Sequence, residues 1–168
     1  MYRGEVGCDS LNGALQEAFS AGKPEVRRGR RVFRLGDRVM QTSNNYEEDV
    51  FNGDIGRVIV VDEEEKELVV DFEGQEVRYT QTALDQLTLA YAVTVHKAQG
   101  SEYPAVIIPV MTQHFVMLQR NLLYTAVTRG AKLVILVGTE RALRIAVNNA
   151  EANQRYSRLA ERVAINPV

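Results

Sequence analysis

Four side chains able to bond phosphate or sugar crowd the stretch Thr94-Val-His-Lys-Ala-Gln-Gly-Ser-Glu102: Thr94, His96, Lys97 and Gln99. Hydroxyl, imidazole, ammonium and amide groups all serve as partners of a nucleic-acid backbone. Gly100 lets a ligand approach the main chain, and the Gly100 and Ser101 amides can line an anion site. Glu102 can accept a bond from a ribose hydroxyl. The preceding run, Leu87–Val93, is β-prone and uncharged, so the polar cluster falls at the C-terminal end of an expected strand. Open α/β sheets place their ligand sites there. The same residues would also suit a polar strand-to-helix turn with a capping role, and His96 taken singly reads as a structural histidine.

A second constellation lies in Arg120-Asn-Leu-Leu-Tyr-Thr-Ala-Val-Thr-Arg129-Gly130. Tyr124, Thr125, Thr128 and Arg129 gather at the end of a helix otherwise built for packing. A guanidinium held at a rigid helix end suits the stabilisation of charge on a phosphoryl group in transit. An arginine placed there is equally favoured by the negative end of the helix dipole.

These residues need a frame. Asp9–Ser20 reads as a helix capped by Asp9 or Ser10, with Leu11, Ala14, Leu15, Ala18 and Phe19 on its apolar side. The segment to Arg34 shows no periodicity and reads as an extended basic connection. From Leu35 the period becomes two. Strands are expected over 38–42, 55–61, 67–72 and 75–80, joined by turn residues such as Asn52-Gly53-Asp54 and Glu73-Gly74. That pattern indicates a small antiparallel barrel. After Asp85 strands alternate with helices: buried strands over 87–93, 105–110 and 132–137, and helices over 117–128, from Thr139 or Glu140 to 146, and over 148–162. Such alternation implies parallel βαβ units.

The chain has 168 residues, a net charge of −2 and one cysteine, Cys8, which reads as a small buried hydrophobe in a reducing cytosol. No membrane span or signal peptide is expected, and a cytoplasmic location follows. Charge is unevenly spread: 23–38 carries a local +5 and 46–76 a local −10. A basic stretch beside an acidic one fits either a phosphate-facing patch or a solvated linker next to a soluble hairpin tip.

Taken together the motifs carry a resemblance. Thr94–Glu102 looks like motif V of superfamily 1 helicases and Leu123-Tyr-Thr-Ala-Val-Thr-Arg129 like motif VI, in the family's order and separation. Within that superfamily the chain resembles the RecD-like DNA helicases, the exodeoxyribonuclease V alpha-subunit family. Met1-Tyr-Arg-Gly4 is similar to the end of motif IV, and Gly7–Asn12 to the helix start behind it. Gly36–Met40 and Phe51-Asn-Gly-Asp54 resemble the family's inserted SH3-like domain, and Asn153–Arg158 its ending.

The resemblance implies an α/β fold: a RecA-like parallel sheet domain without a P-loop, carrying a small antiparallel SH3-like barrel. The barrel would occupy residues 35–86, with 1–34 and 87–168 forming the RecA-like part. Arg129 would be the arginine finger on the γ-phosphate, with Gly100, Glu102 and Arg3 at the nucleotide. Thr94, His96 and Lys97 would face single-stranded DNA, Gln99 would link the two sites, and the basic 27–38 stretch would flank the strand path. The implied function is the C-terminal motor part of an ATP-dependent 5′→3′ DNA helicase of recombination and repair.

No G-x-x-x-x-G-K-[ST] occurs, nor an acidic pair at the end of an early strand. ATP and Mg²⁺ would thus be held only with the N-terminal RecA-like domain of the same polypeptide. A chain opening inside a motif has the look of a segment that does not hydrolyse ATP by itself. The expected partners are single-stranded DNA, that N-terminal domain and other recombination subunits, with no membrane. A stand-alone SH3-like binding module on an inactive α/β scaffold is the alternative, and a degenerate single-domain nucleotide binder a third reading. The reading frame upstream of Met1 and an ATP titration separate them.

Overall fold

The computed structural model describes residues 6–150. They form two compact units, one reaching to Gln99 and one starting at Gly100.

The first unit begins with helix α1 (Cys8–Ser20). Its span agrees with the sequence, but neither Asp9 nor Ser10 caps it: Gly7 holds the cap position without a side-chain bond, and Asp9 lies in the first turn. Its buried face also differs from expectation. Asn12, Gln16 and Ser20 are buried, while Phe19 on the apolar side is 63% exposed. Polar groups are tolerated inside when each finds a partner, and all three do.

The basic segment is a hairpin rather than an extended connection. Strands β1 (Glu25–Arg28) and β2 (Arg31–Arg34) pair antiparallel, with Val26 opposite Phe33. Both apolar side chains are buried, one inward residue on each strand among the arginines. Those arginines are engaged in the fold. Arg34 binds Glu17 at 2.8 Å and Glu25 at 3.0 Å, and Arg28 binds Asp85 at 2.8 Å. Arg27 pairs with Glu25, and Arg31 donates to the carbonyls of Asp85 and Leu87. Hydrogen bonds from Arg27 and then Arg34 hold the Glu25 carboxyl below its ordinary range, and Arg28 does the same for Asp85. Three of the seven basic residues of the +5 stretch, Arg27, Arg28 and Arg34, are therefore ion-paired, and Arg31 is bonded to main-chain carbonyls.

Strands β3 (Arg38–Gln41), β4 (Ile55–Asp62), β5 (Glu67–Phe72), β6 (Gln75–Tyr79) and β7 (Leu87–Leu89) form an antiparallel sheet in the order β6-β5-β4-β3-β7. The first four follow the sequence reading closely. Glu73 and Gly74 both have positive φ, the two-residue hairpin geometry that matches strand twist. Val58, Leu68, Val70, Phe72, Val77 and Tyr79 point into one core shared with Val26, Phe33, Val39, Val50, Leu84 and Leu87. Burying each large apolar side chain contributes about 1.5–3 kcal/mol.

The fifth strand corrects an expectation. Residues 87–93 read as one buried parallel strand, yet only Leu87–Leu89 is strand, and it runs antiparallel to β3 with Val39 opposite Leu89. The edge of β3 supplies the reason, since its backbone groups need partners and Leu87 completes the core below. The antiparallel sheet thus continues past residue 86, the expected end of the barrel.

In the second unit β8 (Tyr103–Val110) and β9 (Gly130–Gly138) pair in parallel, joined through helix α2 (Arg120–Val127). The helix expected from residue 117 begins only at Arg120, because Thr112–Met117 form a 3₁₀ segment and Gln119 is extended. Helix α3 (Glu140–Asn148) follows, capped by the Thr139 hydroxyl accepting from the Ala142 amide at 3.2 Å. Val110, Leu118, Ala142 and Ala146 make a small core. The strands were expected to be covered on both faces, but Ile107 and Leu133 are more than half exposed because no described residue of this unit packs over them. Residues 1–4, 151–162 and the 153–158 stretch lie outside the described residues.

Gly56 tests the packing of the antiparallel sheet. A Cβ there would lie 2.5 Å from Val70 Cγ1 and 2.7 Å from the Asp71 carbonyl. Gly56→Ala is expected to destabilise the first unit by about 1–3 kcal/mol, the usual cost of overpacking, measured by urea denaturation.

Candidate nucleotide and nucleic-acid site

After β7 the chain leaves the sheet and closes a compact turn. The Thr94 hydroxyl accepts from the Lys97 amide at 3.3 Å, and the Thr94 carbonyl accepts from the Ala98 amide at 3.0 Å. Gln99 donates to the His96 carbonyl at 3.3 Å. Ala98 is buried and anchors the turn, while His96 and Gln99 are exposed. The strand-to-helix turn with a capping role is not what forms here: the next element after β7 is strand β8, and Thr94 closes a turn instead of capping a helix. Lys97 does not hang free, for its ammonium donates to Asn52 Oδ1 at 2.7 Å. Asn52 is in turn placed by Asn44, whose side-chain oxygen accepts the Asn52 amide at 3.0 Å. One amide partner leaves a lysine with two further donors and its full charge, which is what a phosphate needs.

In the second unit, Gly100 (φ +87) occupies the left-handed region that glycine accepts without strain. Arg129, the last residue before β9, is fixed by three neutral oxygens. Nε donates to the Thr125 carbonyl at 3.1 Å, Nη1 to the Ser101 carbonyl at 3.0 Å and Nη2 to the Thr128 hydroxyl at 3.2 Å. The Arg129 carbonyl accepts from Tyr103 at 2.8 Å. No carboxylate pairs with Arg129 among the described residues. Its charge is therefore oriented without being neutralised, and of five guanidinium donors three are spent on holding it. The bond to Ser101 also brings Arg129 beside the Gly100–Glu102 stretch. The bond to the Thr125 carbonyl sets the guanidinium at the C-terminal end of α2, where the helix dipole favours a cation.

The sequence matches two family profiles: the ATP-dependent RecD-like DNA helicase SH3 domain over residues 11–72 and the UvrD-like helicase C-terminal domain over residues 89–137. It is 42% identical over 166 residues to the ATP-dependent RecD2 DNA helicase of Deinococcus radiodurans, covering 97% of this chain and 22% of that protein. The chain belongs to the RecD-like helicase family. The RecBCD enzyme subunit RecD of Mycolicibacterium smegmatis is 29% identical over 145 residues, or 86% of this chain and 25% of that one. The chain thus spans about a quarter or less of the length of these RecD-like relatives. A Bacteroides Pif1 helicase, solved in complex with ADP-AlF3 and ssDNA, superposes with a TM-score of 0.57 at 18% identity over 76% of this chain and 37% of its own. That likeness supports the RecA-like helicase fold.

The structure places the foreseen residues in two groups, Thr94, His96, Lys97 and Gln99 on the first unit and Gly100, Glu102 and Arg129 on the second. Arg3 lies outside the described residues. Sequence reading missed Asn52 as the partner of Lys97, although it sits in the Phe51–Asp54 turn already singled out. It also missed the polar line Asn12, Gln16, Ser20, whose spacing of four was the available signal.

Thr94→Val removes the oxygen that accepts the Lys97 amide. Hydrogen exchange at Lys97 is expected to quicken several-fold while exchange within β4–β6 stays unchanged.

Proposed function

We propose that this segment is the C-terminal motor part of an ATP-dependent 5′→3′ DNA helicase acting in recombination and repair in the cytoplasm. The observation that carries the reading is the uncompensated Arg129 guanidinium, held by three neutral oxygens beside the motif V stretch. A preoriented cation costs little reorganisation when negative charge develops on a transferring phosphoryl group.

In this scheme Arg129 contacts the γ-phosphate, with Gly100, Glu102 and Arg3 lining the nucleotide. In the same scheme the P-loop and the acidic residues that hold Mg²⁺ come from the N-terminal RecA-like domain. Thr94, His96 and Lys97 bond the backbone phosphates of single-stranded DNA, and Gln99 links the nucleotide side to the DNA side. Binding is then salt-sensitive and largely blind to sequence. Other recombination subunits are its further partners.

Two variants of the full-length protein separate the two sides. Arg129→Ala is expected to lower DNA-stimulated phosphate release by at least about a thousandfold, the scale of an arginine finger, while single-strand affinity stays near wild type. Unchanged turnover would refute the finger. Lys97→Ala is expected to weaken single-strand binding and to flatten the log–log salt dependence by about 0.7, the contribution of one phosphate contact on a single strand. An unaltered slope counts against the DNA-side assignment.

A further inference from the structure

Strand pairing stops holding the chain soon after Leu89, five residues before Thr94. The next main-chain anchor comes from α1. Asn12 Nδ2 donates to the Ala92 carbonyl at 2.9 Å and Asn12 Oδ1 accepts from the Ala92 amide at 2.8 Å. One side-chain amide thus takes both backbone groups of a single residue, as a neighbouring strand would.

The adjoining residue is held as firmly. The Tyr91 hydroxyl donates to Asp37 Oδ1 at 2.9 Å. Its one proton is then committed, so the Ser20 hydroxyl 3.0 Å away is the donor to Tyr91. The Tyr91 ring stacks on Phe19 with centroids 5.9 Å apart. Asp37, fully buried, accepts from Gln16 Nε2 at 2.5 Å and the Arg34 amide at 2.7 Å on its other oxygen. Gln16 Nε2 also reaches the Val32 carbonyl at 2.9 Å, tying α1 to β2.

Apolar packing would hold residues 91–92 against α1 without fixing their rotation or register. Directional bonds fix both, and binding groups need that precision from the residues behind them. We infer that Asn12, Ser20 and Tyr91, braced by Gln16 and Asp37, form a positioning clamp that sets the exit of the chain from β7 and so presents Thr94, His96 and Lys97 to the phosphates of a single strand. None of the clamp residues touches the strand. The inference rests on the DNA-side reading of the 94–99 turn.

The test uses Asn12→Ala and Tyr91→Phe in the full-length protein, with two readouts. Asn12→Ala is expected to speed hydrogen exchange over residues 92–99 by about tenfold or more and leave β4–β6 amides unchanged. It should also raise the oligo-dT concentration for half-maximal ATP turnover several-fold at unaltered maximal turnover, and Tyr91→Phe should show the same pattern more weakly. Uniformly faster exchange across the first unit, or no change over 92–99, overturns the clamp. Local loosening with an unchanged oligo-dT requirement also overturns it, provided Lys97→Ala raises that requirement. If Lys97→Ala has no effect either, the DNA-side reading is what fails, and the clamp falls with it.

Discussion

The Asp37 carboxylate is the constraint on which the first unit is organised. Fully buried, it accepts from a helix side chain, a backbone amide and a tyrosine hydroxyl, and those donors come from three separate segments. A carboxylate without such partners would not remain in the interior, and donors stripped of it would be left unsatisfied at about 1–3 kcal/mol each. The apolar core under the sheet gives the unit its stability. Asp37 decides where α1, the hairpin and the chain leaving β7 must meet. A second buried set, Tyr79 donating to Gln41 and Gln41 to Gln86, does the same for the end of β3 and the entry to β7.

Polar bonding of this kind recurs at the candidate site residues. Thr94 closes the turn that carries Lys97, Asn44 places the Asn52 that receives the Lys97 ammonium, and Ser101, Thr125 and Thr128 orient Arg129. The charged groups are held by neutral oxygens and amides rather than by carboxylates. Orientation is thereby obtained without neutralisation of the positive charge. The arginines of the 27–34 hairpin make the opposite use of charge, for they meet Glu17, Glu25 and Asp85 and close the fold.

Much of this was legible in the sequence, and the exceptions share a cause. The strands at 55–61, 67–72 and 75–80 declared themselves because one face is core and the other solvent, so a period of two survives in residue type. The β1–β2 hairpin did not, because only Val26 and Phe33 face inward among arginines. Helix α1 was located correctly but its buried face was misread, since its partners are polar groups distant in sequence and hydropathy does not register them. Residues 87–93 looked like one strand because apolar composition cannot tell a parallel strand from an antiparallel edge. The site motifs were readable as side-chain chemistry. That Arg129 rests on the Ser101 carbonyl, and Lys97 on Asn52, depends on folding across tens of residues.

In the proposed coupling Arg129 faces the nucleotide and Lys97 faces the strand. A structure of the full-length protein with single-stranded DNA and an ATP transition-state mimic tests it most directly. An Arg129 guanidinium nitrogen is expected within hydrogen-bond range of the γ-phosphate mimic, about 3 Å, and the Lys97 ammonium at a DNA phosphate. Arg129 remaining on its three oxygens with another cation at the mimic, or Lys97 still bound to Asn52 and remote from the strand, would contradict it.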